Sequence, residues 1–182
     1  MFKAKLGAKL KEIKAVPSIL VIDSGVGGLS ICQSILAIED RLQRIYFADD
    51  AYFPYGLKDD AQLSMRLKKI VSRMLELHQP EMIVLACNTV STLLLPELRA
   101  SFNVPFVGVV PAIKPAAQLS KTKCVGLLAT PGTVKRPYTD NLIDDYAHDC
   151  DVLRVGSNEL VGLAENLLSG KEVSEAQLAH IL

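Results

Sequence analysis

Short runs rich in β-branched and aromatic residues alternate along this chain with longer stretches whose apolar positions recur every three or four residues, the pattern of parallel strands joined by helices. "SILVID" (18–23), "RIYFAD" (44–49), "EMIVLA" (81–86) and "VPFVGVV" (104–110) read as four strands. The segment from about Gly28 to Glu39 reads as a helix. Leu63, Leu67, Ile70, Met74 and Leu77 mark a second helix from Asp59 to His78, stopped by Pro80. Past "GVVPAIKPAAQ" the pattern starts afresh: strand "KCVGLLAT" (123–130), a helix from Thr133 to about His148, strand "DVLRV" (151–155), then helices near 158–169 and 174–182. The two prolines of "PAIKP" mark a boundary near residue 111. The expected organisation is an N-terminal extension (1–17), a first α/β lobe (18–110) and a second α/β lobe (111–182). Strand one leads into "DSGVGG" and strand five into "TPGT", each a polar, glycine-containing turn before a helix, which makes a weak internal repeat. The fold class is therefore α/β, two parallel-sheet lobes with flanking helices, the second lobe stopping after two strands.

Charge and composition then narrow the function classes. Acidic and basic side chains balance at 20 each, which gives no general pull toward nucleic acid or membrane. The apolar runs fall short of the roughly 18 residues a spanning helix needs. "MFKAKLGAKLKEIKAVPS" spaces lysines among single apolar residues, without the continuous apolar core of a targeting peptide, and is expected to be a solvated extension. Cys32, Cys87, Cys124 and Cys150 form no CxxC pair, so neither a zinc site nor a disulfide framework is expected, and a reduced, cytoplasmic protein fits. His78, His148 and His180 form no cluster, and no metal is assigned.

Ligands of parallel α/β sheets bind at the carboxyl ends of strands, beside helix N-termini. That rule selects Asp23, Ser24, Asp49, Cys87, Asn88, Thr89, Thr130 and Thr133. In "IVLACNTVST" (83–92), Cys87 stands where a strand gives way to a helix, and the helix dipole there favours thiolate, hence a base or nucleophile near neutral pH. A buried thiol acting as a small hydrophobe is the competing reading. Cys32 falls on the apolar side of the first helix, and Cys124 and Cys150 fall at strand starts, where a structural role is expected. The glycines of "DSGVGG" allow an anion cradle for a phosphate or a carboxylate, but the spacing fits neither the dinucleotide fingerprint nor Walker A. A tight turn capped by Asp23 and Ser24 is the alternative. "FPYG" (53–56) reads either as a turn presenting backbone N–H and the Tyr55 hydroxyl to a ligand or as an ordinary surface turn, and Glu165 as a solvated helix residue unless the fold places it otherwise.

Taken together, "VIDSGVGGLS", "YFADDAYFPYG", "LACNTVST" and "LLATPGTVKRPYTDNLI" resemble the successive motifs of the glutamate racemases, within the aspartate/glutamate racemase superfamily, from about residue 18 to the last. The N-terminal lysines and "TVKRPYT" look most like the proteobacterial branch. The resemblance implies cofactor-independent interconversion of L- and D-glutamate for peptidoglycan, by two cysteines working on opposite faces of the α-carbon. It makes Cys87 one of the pair. It puts Asp23 and Ser24 beside that thiol, with Asp23 assisting proton transfer, and Asp49 and Glu165 as further assisting acids. Tyr55, Gly56, Asn88, Thr89, Thr130 and Thr133 match substrate-binding positions. The family's second cysteine stands in a "GCTH" motif that this sequence lacks. The internal repeat puts its equivalent at roughly residue 194, beyond Leu182, so a C-terminally shortened chain that does not racemise glutamate alone is expected. Two other readings stay open: a non-catalytic protein that binds glutamate, an anion or a partner, with DNA gyrase the partner the resemblance implies, and an aspartate racemase. A homo-oligomer is a further expectation; a membrane or direct nucleic-acid partner is not.

Overall fold

The computed structural model describes residues 16–181, so all but the last two residues of the expected N-terminal extension lie outside the described residues. The chain runs β1 (Ser18–Asp23), α1 (Gly28–Ile38), β2 (Gln43–Ala48), two 3₁₀ turns at Asp50–Tyr52 and Tyr55–Leu57, α2 (Asp60–His78), β3 (Met82–Leu85), α3 (Asn88–Ser101), β4 (Phe106–Gly108), α4 (Ile113–Leu119), β5 (Cys124–Ala129), α5 (Pro131–Lys135), α6 (Pro137–Tyr146), β6 (Asp151–Gly156), α7 (Glu159–Leu168) and α8 (Glu175–Ala179).

All strand pairings are parallel. The first sheet has the order β2-β1-β3-β4, and β5 pairs with β6 in a second sheet. The first is covered on both faces, which is why its strands read as unbroken apolar runs. Leu20, Ile22, Ile83, Leu85 and Phe106 pack with the helical residues Leu63, Leu67, Val90 and Leu94 in one cluster, while Ile19, Val21, Val84 and Ala86 pack with Ile31, Cys32 and Ile35 in another. Helix α2 shows how local chemistry sets an element. The Asp59 side chain caps it by accepting from the amides of Ala61 and Gln62, its buried stripe is Leu63, Leu67, Val71 and Met74, and it ends on left-handed Gln79 before Pro80. Leu77, placed on that stripe by spacing, is 54% exposed.

In the second lobe Ile113, Ala117, Leu127, Val134 and Ala147 form a smaller core. The other face of this sheet is open, with Leu128 39% and Leu153 56% exposed.

Pro115 of "PAIKP" falls in the first turn of α4, where its missing N–H has no intrahelical partner to lose. Three expectations change. The single helix expected over 133–148 is two, α5 and α6. Pro137 opens α6 and holds the preceding Arg136 extended, at φ −76° and ψ 145°. The strand expected at 104–110 is only Phe106–Gly108, and the last helix covers Glu175–Ala179 rather than 174–182.

Candidate active site

The winding of the first sheet reverses between its neighbours β1 and β3, so a crevice opens at their carboxyl ends. β1 ends on Asp23, and its neighbour β3 is followed at once by Ala86, Cys87 and α3. A cavity of about 380 Å³ lies there, between the lobes. Asp23, Ser24, Tyr55, Gly56, Cys87, Asn88, Thr89, Thr130, Thr133 and Glu165 all line it, with Leu128, Leu160, Val161 and Ala164 supplying apolar wall from the second lobe.

Asp23 fits the capped-turn reading of this stretch. Its Oδ2 accepts from the amides of Gly25 at 3.3 Å and Gly28 at 2.9 Å, so it caps the turn, yet it also borders the cavity. Gly28 is required by space, since a Cβ there would lie 2.9 Å from the Asp23 Cβ and 3.0 Å from the Tyr46 hydroxyl. Tyr46 closes the turn from behind by donating to the Gly25 carbonyl at 2.7 Å. Its phenol is pushed up from its ordinary pKa, by burial first and then by the negative charge of Asp23.

The Ser24 hydroxyl faces the Cys87 sulfur at 3.8 Å. Here burial works against the expected thiolate. The Cys87 thiol is pushed above its ordinary range, chiefly by burial and also by the negative charge of Asp23, while the amides of Val90 and Thr89 and the Ser24 hydroxyl draw it down less strongly. Cys87 is the N-cap residue of α3, and its side chain makes no capping hydrogen bond.

Opposite, Thr130 caps α5 by accepting from the Thr133 amide at 3.3 Å, and its hydroxyl meets that of Thr133 at 2.9 Å. It also meets the Thr89 hydroxyl of the first lobe at 3.3 Å, joining the lobes at the cavity wall. Glu165, which spacing alone left as a solvated helix residue, reaches the turn after β1, where its Oε1 accepts from the Val26 amide at 3.2 Å.

Asp49 is the one candidate that does not line the cavity. It is 3% exposed and lies behind Tyr55, accepting from the Tyr55 hydroxyl at 2.7 Å and from both Arg66 nitrogens, Nε at 2.6 Å and Nη2. Burial pushes its carboxyl up, but the bonds from Arg66 and Tyr55 outweigh burial and hold it below its ordinary value. Burial and the bond to Asp49 push the Tyr55 phenol up. Asp49 therefore supports the Tyr55–Gly56 loop rather than facing a ligand. Among the described residues, Cys32, Cys124 and Cys150 lie outside the cavity, and no group of His, Cys, Asp or Glu could hold a metal ion.

Sequence reasoning missed Arg66, Arg136 and Tyr46. Each is a long polar residue on an ordinary helix face, strand or loop, and only tertiary pairing distinguishes it.

Residues 19–181 match the Asp/Glu/Hydantoin racemase family. The chain belongs to that family. The glutamate racemase of Pectobacterium atrosepticum is 47% identical over 189 residues, covering 100% of this chain and 66% of its own. That of Klebsiella pneumoniae is 49% identical, covering 91% and 59%. Among solved structures, Escherichia coli glutamate racemase, in complex with L-glutamate and the activator UDP-MurNAc-Ala, superposes with a TM-score of 0.86 at 49% identity, over 92% of this chain and 63% of that one. A Francisella tularensis glutamate racemase in complex with D-glutamate superposes with a TM-score of 0.70 at 25% identity, over 83% and 56%. This member of the racemase family thus spans about six tenths of the length of these relatives. No helix among the described residues is long and apolar enough to cross a membrane.

Proposed function

We propose that the protein acts on glutamate at this cavity as a cofactor-independent racemase, supplying D-glutamate for peptidoglycan in the cytoplasm. The observation that carries the reading is the convergence of Cys87, Asp23 and Ser24 from one lobe with Thr130 and Thr133 from the other around a single cavity of about 380 Å³, in a chain whose relatives include glutamate racemases solved with L- and D-glutamate.

The roles follow from the chemistry. The hydroxyls of Thr89, Thr130 and Thr133, the Asn88 side chain and the loop at Tyr55–Gly56 offer donors to the substrate carboxylates. The negative Asp23, at the end of the strand beside the one that leads to Cys87, suits the ammonium group. A bound ammonium opposes both influences that keep Cys87 protonated, because it is a cation placed where Asp23 alone was an anion. The Cys87 thiolate then takes the α-proton and becomes a thiol, leaving the electron pair on the α-carbon. Inversion requires a proton delivered from the other face, and none of the other described cysteines lines the cavity to deliver it. Asp49 acts at one remove through Tyr55, and Glu165 by fixing the Val26 amide.

The test is incubation of the 182-residue chain with D-glutamate in D₂O, with chiral chromatography and mass spectrometry. Expected are binding, slow α-deuteration with retained configuration, loss of exchange in Cys87→Ser, and no useful yield of L-glutamate. A site missing one positioned acid or base is slower by about 10²–10⁴-fold. Rapid formation of L-glutamate refutes the one-thiol account, and tighter binding of D-aspartate than of D-glutamate refutes the substrate. The lone cavity thiol among the described residues, held as a thiol, favours one second reading, a non-catalytic binding protein with a partner such as DNA gyrase. Tight D-glutamate binding without exchange selects that reading.

A further inference from the structure

Arg136 stands at the break between α5 and α6 and reaches into the first lobe. Its Nη1 donates to the Thr89 carbonyl at 3.2 Å and to the Thr92 hydroxyl at 3.4 Å, and its Nη2 to Asp60 Oδ1 at 2.9 Å. The arginine side chain is 13% exposed and that of Asp60 60%, so the guanidinium is inside the lobe contact and its counter-charge at the rim. Gly132 makes room for it, since a Cβ there would lie 3.1 Å from Nη2 and 3.2 Å from Nη1. The carbonyl that Arg136 holds belongs to the peptide whose N–H is that of Val90, the third residue of α3, a position whose N–H faces the side chain of the N-cap residue, here Cys87. The hydroxyl of the same Thr89 meets Thr130 across the cleft at 3.3 Å. One cation therefore grips the turn that carries both the thiol and the first-lobe half of the threonine contact.

We propose that Arg136 is a positioning residue of the site: it clamps the Thr89–Val90 peptide, setting Thr89 opposite Thr130 for the ligand carboxylate and aiming the Val90 N–H at the Cys87 sulfur. A charged donor on a peptide carbonyl polarises that peptide and strengthens its N–H as a donor. The clamp depends on the guanidinium shape. A lysine ammonium is a single point and cannot reach Thr89, Thr92 and Asp60 together. The part of the proposal that concerns affinity rests on the glutamate reading; the part that concerns the thiol does not.

The experiment measures two quantities on the 182-residue chain, the pH midpoint of Cys87 alkylation, followed by peptide mapping, and the Kd for D-glutamate by calorimetry. Arg136→Met is expected to raise the midpoint by roughly half a pH unit and weaken binding roughly tenfold, the loss of about one charged hydrogen bond. Arg136→Lys shifts both in the same direction by less. Arg154→Met, which removes an arginine bonded within the second lobe to Val134 and Asp140, leaves both unchanged. A folded Arg136→Met chain with the unaltered midpoint overturns the proposal, as does an equal shift from Arg154→Met. If Arg136→Met does not fold, Arg136→Lys decides, and an unaltered midpoint there overturns it. If the unsubstituted chain does not bind D-glutamate, the glutamate reading fails while the midpoint still decides the role of Arg136.

Discussion

Replacing Arg66 by methionine isolates the support beneath the Tyr55 loop. Asp49 is 3% exposed, and the substitution removes both guanidinium bonds and leaves the buried carboxylate with the Tyr55 hydroxyl alone. Breaking a fully buried pair costs about 3–5 kcal/mol. The Arg66 side chain is 37% exposed, however, and water screens its half of the pair, so about 2 kcal/mol is the expected loss at neutral pH. For a chain of this size that lowers Tm by about 4–8 °C. The sign with pH follows from the depressed carboxyl. Its contribution is fully present above the unfolded value of about 3.9 and is lost as pH falls through the lower folded value. In Arg66→Met, burial is opposed only by the Tyr55 bond, so the Asp49 carboxyl moves up and protonates sooner, relieving the destabilisation. The gap between parent and variant therefore narrows as pH falls from 7 to 4. Urea unfolding followed by circular dichroism at several pH values measures it, and a cycle with Asp49→Asn isolates the pair. A gap that stays constant with pH, or a double variant whose losses simply add, refutes an ionic pair as the support of this loop.

Three further outcomes are expected. At pH 7.5 iodoacetamide labels exposed Cys124 before Cys87, whose half-buried thiol is pushed up, and D-glutamate slows labelling of Cys87 alone; early labelling of Cys87 contradicts this assignment. Gly56→Ala places a Cβ 2.9 Å from Thr130 Cγ2 and 3.3 Å from Asn158 Oδ1, so it parts the lobes and weakens D-glutamate binding by roughly tenfold, measured by calorimetry, with a smaller effect on Tm. The open face of the second sheet, with Leu153 56% exposed, and neighbouring α7, with Leu167 63% and Leu168 64% exposed, lead the 182-residue chain to self-associate, and sedimentation should show Leu153→Lys reducing it.

What the sequence discloses and what it withholds divide along a physical line. The apolar runs and the three-to-four stepping of Leu63, Leu67 and Met74 were enough to order the strands and helices, because burial on a sheet or helix face is a local, periodic demand. The strand-end rule was enough to collect Asp23, Cys87, Thr89 and Thr130, because topology alone brings such ends together. The partners of charged groups were not legible. Nothing local joins Asp49 to Arg66 across the Tyr55 loop, Glu165 to the Val26 amide, or Arg136 to Thr89 in the other lobe. The proline breaks were half legible: Pro137 divides a helix as its type demands, whereas Pro115 is harmless only because of where α4 starts.

Cys87 shows why the omission matters. A helix N-terminus is worth about 0.3–1 kcal/mol to a negative charge, less than the 1.36 kcal/mol of a single pKa unit. Burial can move a titratable group by as much as 3–5 units. The dipole is written in the position of Cys87 before α3 and so is visible in the sequence. The burial arises from the first-lobe core against which Cys87 packs, a tertiary feature, and it opposes the dipole. A thiol in this setting is a base only when something offsets the burial, and a ligand carrying its own cation beside Asp23 is of the right sign to do so. On this account burial favours the thiol form of Cys87, and a cation placed beside Asp23 favours the thiolate.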